Sequence, residues 1–287
     1  MIERETVGKL RDLVAEMEAQ LKAAGMATPR AEAEWMVAEA LGVSRTELYL
    51  RDEPVGAAAV ERVRGWAARR VAGEPLQYIL GSAPFCGLNL SVRPGVFIPR
   101  PETEVLAERA VRHLQGLGRP ATVLELGTGS GAIAIALARA VSTCVVVAVE
   151  LSWEALQVAQ ANCAAHGVRD CVRLIQADWA AAVRGPFDVV LSNPPYVPTQ
   201  DIPPTLGDPR LALDGGLDGL EWHRRLLADM PRLLTGGGVL GAECDERQAG
   251  ALLALAQAQP WIRDTALYAD LAGRPRGIWI TRERIEN

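Results

Sequence analysis

The chain is poor in the residues that mark several common chemistries. Its 287 residues include only five cysteines, Cys86, Cys144, Cys163, Cys171 and Cys244, an odd number, widely scattered and without a Cys-x-x-Cys pair. Such spacing supports neither a disulfide framework nor a thiolate metal or redox centre, so the thiols are expected in the core. The three histidines, His113, His166 and His223, fall on expected helices or at their ends without ligand spacing, and no metal is expected. Positive charge is not in excess either. With a formal net charge of −5 the chain has no global field to draw in nucleic acid. No stretch approaches the ~20 uncharged apolar residues of a membrane span. The opening MIERETVGKLRDLVAE is charged and lacks the apolar centre of a signal peptide. A cytoplasmic monomer without a membrane partner is the expectation, and internal repeats and low-complexity tracts are absent.

What is present suits one or two globular domains, with 49% hydrophobic and 23% charged residues. Residues 1–82 read as a small all-helical bundle. Val7, Leu10, Leu13, Val14, Met17 and Leu21 recur at three- and four-residue steps before a stop at Gly25. Thr28-Pro29 has the form of an N-cap followed by proline at the first helical position, opening a second helix through Trp35, Met36, Ala38 and Leu41 to Gly42. A third pattern runs from about Val55 to Val71. Residues 83–98 then break into short alternating segments, LNLSV and VFI, around Arg93-Pro94-Gly95, and are expected to form a β-hairpin linker.

Residues 99–287 change grammar again. ATVLEL, CVVVAVE, VRLIQAD, FDVVLSN, GVLGAEC, TALYAD and GIWITR alternate with helical stretches such as GAIAIALARAV and WEALQVAQANCAAHG. That order predicts an α/β fold with a doubly wound, mostly parallel sheet covered by helices on both faces.

The first of these strands runs directly into Gly127-Thr128-Gly129-Ser130-Gly131 and then a helix, a turn that suits a nucleoside cofactor at the helix amino end. The same residues satisfy the looser dinucleotide fingerprint, and a tight structural turn is the plain alternative. Glu150 ends the second strand, where a carboxylate can accept from both ribose hydroxyls. Asp178-Trp179 ends the third: Asp178 can accept from an adenine amino group, while the Trp179 indole either packs on the purine or anchors the core. In a doubly wound sheet these strand ends meet on one edge, together with Asn193.

Asn193-Pro194-Pro195-Tyr196 ends the fourth strand, because proline donates no ladder hydrogen bond and excludes helix before it. The Asn193 side-chain oxygen and the Pro194 carbonyl are two acceptors on a stiffened stretch, suited to a planar NH₂ group. Holding both N–H bonds favours the pyramidal shape that a delocalised nitrogen takes as it attacks. Tyr196 offers a flat face for the planar group. An electrophile that carries its own activation, such as a sulfonium methyl, completes the chemistry by proximity.

These motifs resemble those of class I S-adenosylmethionine-dependent methyltransferases acting on amino nitrogens. Glu74 to Gly81 (EPLQYILG), Phe97 to Glu104 (FIPRPETE), Asp214 to Leu220 (DGGLDGL) and Asp270 to Arg274 narrow the likeness to the peptide chain release factor N5-glutamine methyltransferases, over nearly the whole chain. The resemblance implies a seven-stranded class I sheet and an amino-terminal domain that recognises the substrate. It implies methyl transfer to the glutamine side chain of the Gly-Gly-Gln motif in bacterial release factors, with S-adenosylhomocysteine as product. It further implies that Gly127, Thr128, Gly129, Ser130, Gly131, Glu150, Trp179 and Asn193 bind cofactor, to which the strand-end reading adds Asp178. Asn193, Pro194, Pro195 and Tyr196 would hold the glutamine, with Asn193, Pro194 and Tyr196 catalytic. Two departures keep the charge: Glu150 where the family often has aspartate, and Asp208-Pro209 where Glu-Pro is common. The Phe97–Glu104 stretch either orders a channel-lining loop or forms interdomain salt bridges. Competing readings are a ribosomal-protein glutamine methyltransferase, an adenine N6-methyltransferase on DNA or RNA, and an inert nucleotide-binding module.

Overall fold

The computed structural model describes residues 6–51, 54–203 and 207–284 and divides into two compact units, Met1–Gly81 and Ser82–Asn287. In the first unit, β1 (Thr6–Lys9) leads into α1 (Leu10–Ala23), which buries Leu10, Leu13, Val14, Met17 and Leu21 on one stripe. The Val7 side chain, expected on that stripe, lies outside the described residues. α2 (Pro29–Leu41) starts after Thr28 with Pro29 in its first turn and ends at Gly42, whose φ of 64° is the left-handed cap that glycine adopts without strain. Its buried face differs from expectation. Trp35 is 40% exposed, whereas Glu34 is buried and accepts from Arg30 Nε at 2.7 Å, Arg45 Nη2 at 2.6 Å and the Tyr49 hydroxyl. A buried carboxylate is tolerated because three donors replace its water.

α3 (Arg45–Leu50) opens with a capping box between Ser44 and Glu47. β2 (Pro54–Gly56) pairs antiparallel with β1, so Val55 belongs to a strand and the third expected helix, α4 (Ala57–Val71), begins after it. The unit therefore carries a short two-stranded pairing beside its helices, followed by α5 (Leu76–Leu80).

The second unit starts with a hairpin, β3 (Ser82–Phe85) and β4 (Leu88–Ser91). Its turn is Cys86-Gly87, both at positive φ (48° and 72°), the two-residue geometry that matches strand twist. The expected turn at Arg93-Pro94-Gly95 is a separate bend closed by Val96 N donating to Arg93 O, and VFI is not a strand. Phe85 and Leu90 are fully buried in the core of this unit.

After α6 (Pro101–Leu117) come β5 (Ala121–Leu126), α7 (Ala132–Ala140), β6 (Cys144–Glu150), α8 (Trp153–Ala165), β7 (Val172–Gln176) and β8 (Phe187–Ser192). The chain closes with α9 (Glu221–Leu233), β9 (Leu234–Glu243), α10 (Ala249–Gln257), β10 (Ile262–Ala269) and β11 (Pro275–Arg282). The seven-stranded sheet has the order β10-β11-β9-β8-β5-β6-β7, and only the pairings of β11 are antiparallel. Successive residues of β8 feed opposite faces: Val189 and Leu191 enter the core under α6 and α7, and Val190 enters the core with α9 and α10. All six β8 residues are buried, as a central strand covered on both faces requires. Among the described residues no helix is long and apolar enough to cross a membrane.

Candidate active site

The strand order reverses between β5 and β8, and a crevice opens there at the carboxyl ends of the strands. A cavity of about 260 Å³ occupies it. Its wall brings together Gly127, Thr128, Gly129, Ser130, Glu150, Asp178, Trp179, Asn193, Pro194, Pro195 and Tyr196, which the chain scatters over some seventy positions. Gly131 stands apart. It does not line the cavity, and a Cβ there would press on Ile135 Cδ1 at 3.1 Å and Ala159 Cβ at 3.3 Å, so its bareness serves the close approach of α7 and α8.

The glycine loop is held by acids on either side. Glu150 accepts from the Gly129 amide (2.8 Å, Oε2) and from the Ser152 amide (2.9 Å, Oε1), which fixes its carboxylate at the cavity wall. Beneath the loop, Glu125 Oε2 accepts from Thr128 Oγ1 at 2.7 Å and from the Ala134 amide at 3.0 Å. Burial pushes the Glu125 carboxyl up to about 8, against the opposing pull of those two donors and with a further push from Glu150. Asn162, buried on α8, donates to Ser130 O (2.9 Å) and Ser91 O (3.0 Å) and so ties the loop to the hairpin.

Asp178 is exposed and 3.7 Å from Arg225. Trp179 takes φ 54°, a left-handed conformation uncommon for a bulky side chain, and its indole is buried against Trp222 with ring centroids 5.1 Å apart. It therefore serves the core and the cavity wall together.

Asn193 follows β8 directly, and its Nδ2 donates to Thr103 Oγ1 at 3.1 Å. Tyr196 Oη donates to Glu243 Oε1 at 3.2 Å, and burial raises the phenol, helped by that carboxylate. The DGGLDGL loop braces the tetrapeptide from behind. Val197 N donates to Leu213 O and Gly215 N to Val197 O, both at 2.8 Å, and Gln248 Nε2 donates to Tyr196 O at 2.7 Å. Gly215 permits the approach, since a Cβ there would sit 2.7 Å from Tyr196 Cα.

The Phe97–Glu104 stretch borders the cavity. Phe97, Pro99, Arg100 and Thr103 line the cavity. Asp208 pairs with Arg100 and accepts from the Ile98 amide at 3.1 Å, and Glu104 accepts from the Cys86 amide at 2.9 Å. These partners all belong to the second unit. Glu125, Asn162 and Glu243 were not among the residues expected at the site. Glu125, the acid two residues before the glycine loop, was visible in the sequence, whereas Asn162 and Glu243 carried no local signal. Two histidines sit in hydrogen bonds to backbone: His166 Nε2 lies 3.0 Å from Asn89 O and His223 Nε2 lies 2.7 Å from Glu243 O.

Known proteins resemble both parts of the chain. Residues 12–81 match the PrmC N-terminal domain, and residues 88–208 match the methyltransferase small domain. The release factor glutamine methyltransferase of Geobacter sulfurreducens is 39% identical over 262 residues, 89% of this chain and 90% of that protein. The enzyme of the same description from Moorella thermoacetica is 40% identical over 273 residues, 93% of this chain and 96% of that protein. Among solved structures, a methyltransferase from Pyrococcus furiosus superposes with a TM-score of 0.51 at 20% identity, covering 69% of this chain and 90% of that one, which shows the shared fold.

Proposed function

Because the chain belongs to the release factor glutamine methyltransferase family, we propose that its cavity binds S-adenosylmethionine and that Asn193 and Pro194 present a glutamine carboxamide to it. The acceptor is the glutamine of the Gly-Gly-Gln motif in bacterial peptide chain release factors, methylated on its side-chain nitrogen. The observation that carries the reading is the meeting, in one cavity, of a glycine loop, a strand-end carboxylate and the Asn193–Tyr196 tetrapeptide.

The residues fit such a cofactor. A Cβ at Gly127 or Gly129 would meet nothing within 4 Å, so the loop borders open space on its cavity side. Trp179 Nε1 is buried there without a hydrogen-bond partner among the described residues. Gly127 to Ser130, Glu150, Asp178, Trp179 and Asn193 would hold the nucleoside and amino acid parts, with Gly131 shaping the turn. Bound there, S-adenosylmethionine supplies an electrophilic methyl group and leaves as S-adenosylhomocysteine.

The chain's own residues do the orienting. Asn193 Oδ1 and the Pro194 carbonyl accept the two N–H bonds of the carboxamide, which turns the nitrogen lone pair toward the donor and stabilises the nitrogen as it becomes tetrahedral. The Tyr196 ring supplies a flat apolar face, and its hydroxyl stays protonated because burial beside Glu243 raises it. No side-chain base is needed, since the methylated nitrogen is acidic and releases its proton to water. We assign protein-substrate recognition to the first unit, where Trp35, Tyr49 and Leu50 are exposed. The enzyme acts as a cytoplasmic monomer.

Mass spectrometry of a release factor incubated with the protein and labelled S-adenosylmethionine tests the reading. A single added methyl on the Gly-Gly-Gln peptide is expected. Label entering ribosomal protein or nucleic acid, and not the release factor, overturns it.

A further inference from the structure

We propose that Thr103 and Glu243 are positioning residues that hold the Asn193 amide with its carbonyl oxygen toward the cavity. The inference rests on the clamp reading above and explains how the clamp is kept the right way round. An asparagine amide carries an acceptor and a donor of nearly equal size, and a half-turn about its last bond exchanges them. With the NH₂ end facing inward, the clamp would set donor against donor. Something outside the tetrapeptide must choose.

The choice is made by a chain of three groups on three elements. Asn193, after β8, donates from Nδ2 to Thr103 Oγ1 at 3.1 Å. Thr103 stands in the first turn of α6 and is 4% exposed. Its hydroxyl faces the carboxylate of Glu243, the last residue of β9, which is 1% exposed and whose pKa that hydroxyl pulls down. Tyr196 Oη donates to the same carboxylate through Oε1 at 3.2 Å, while Oε2 is buried with no hydrogen-bond partner among the described residues and is open to the Thr103 hydrogen. A hydroxyl has one hydrogen and two lone pairs, and an ionised carboxylate only accepts. With Glu243 ionised, as it is above about pH 7, its unpartnered Oε2 is the acceptor for the Thr103 hydrogen, and only lone pairs remain for Asn193. The amide must then offer its NH₂ to Thr103 and its oxygen to the cavity. Because Tyr196 is tied to the same acid, both ends of the clamp take their register from one buried group.

Two substitutions break this logic without emptying space. Thr103→Val keeps the shape and removes the acceptor. Glu243→Gln keeps the size but can donate to Thr103, which frees the hydroxyl hydrogen to turn toward Asn193 and permits the wrong amide orientation.

The experiment measures kcat for release factor methylation and cofactor affinity by titration, at about pH 8.5 so that Glu243 is ionised. Thr103→Val and Glu243→Gln are expected to lower kcat roughly tenfold to a hundredfold with cofactor affinity within about twofold of wild type, and Thr103→Ser to restore kcat to within about threefold. Asn193→Ala is run beside them. If it keeps wild-type turnover, the clamp itself is wrong. If Asn193→Ala is slow while Thr103→Val and Glu243→Gln turn over normally, or Thr103→Ser is as slow as Thr103→Val, the clamp stands and this inference falls. Should Thr103→Val fail to fold, Glu243→Gln decides by the same criterion.

Discussion

The Gly129 amide donates to Glu150 Oε2 at 2.8 Å, so the glycine loop after β5 and the acid at the end of β6 form one rigid wall. Removing the acid takes away the loop's partner and the carboxylate assigned above to the ribose. Glu150→Ala should weaken S-adenosylmethionine binding by about tenfold or more, with kcat at saturating cofactor reduced much less. Calorimetric titration and steady-state kinetics check this, and unchanged affinity would remove the ribose assignment.

On the proposed reading, Asn193→Ala deletes an acceptor whose contacts strengthen as the nitrogen becomes tetrahedral. Loss of one such preorganised contact costs roughly 10²- to 10³-fold in kcat. Cofactor affinity should change only a few-fold. Single-turnover assays with saturating release factor separate the two effects, and wild-type turnover would refute the clamp.

Stability should depend on pH through two buried acids. Burial pushes Glu125 up to about 8 and Glu243 up to about 7 from an ordinary value of 4.5, with Thr103, Tyr196 and Arg276 pulling Glu243 the other way and Glu102 raising it. Between about pH 4.5 and 7 both therefore keep protons in the folded state that the unfolded chain has released. Their contribution is full below about pH 4.5 and is lost as pH rises through 7 and 8. Glu125→Gln stays neutral throughout, so its Tm should fall less than that of wild type between about pH 5 and pH 9. Parallel thermal melts across that range test the sign; equal slopes would show that Glu125 is ionised when folded.

A methyl at Gly215 would lie 2.7 Å from Tyr196 Cα and 2.8 Å from Gly219 Cα, so Gly215→Ala must push the tetrapeptide or its brace. A loss of about 1–3 kcal/mol is expected, together with a drop in kcat. Gly250→Ala in α10 is the control. Nothing lies within 4 Å of a Cβ there, and helix propensity should leave it neutral or slightly more stable. Chemical denaturation of both variants distinguishes a local clash from a general intolerance of change.

Much of the second unit was legible because its strands are apolar, β-branched runs ended by residues that cannot continue them. ATVLEL and CVVVAVE match β5 and β6 residue for residue, and the strand expected to stop at Asn193 runs from Phe187 to Ser192. Thr28-Pro29 and Gly42 likewise bound α2. The hairpin turn was misplaced because Pro94-Gly95 is the stronger local signal, whereas the true turn requires positive φ at Cys86, which no propensity announces. Trp35, expected on the buried stripe, is 40% exposed, and Glu34 is buried because three donors satisfy the acid. Along the cavity, residues on strand ends were readable from spacing. Thr103 and Glu243 were not, because their meeting depends on β9 lying beside β8 and on α6 crossing above, which is information held by topology alone.

The position of β8 has a further consequence. Paired on both edges and covered on both faces, Phe187–Ser192 belongs to the part of the molecule whose backbone amides should exchange with deuterated solvent only when the whole unit opens. Asn193–Tyr196 thus continues directly from a fully buried central strand, whereas the exposed Leu151 and Leu211 on the cavity wall lie outside the strands. On the proposed reading, the clamp geometry is set by the folded sheet, and adaptation to an incoming peptide is left to that wall.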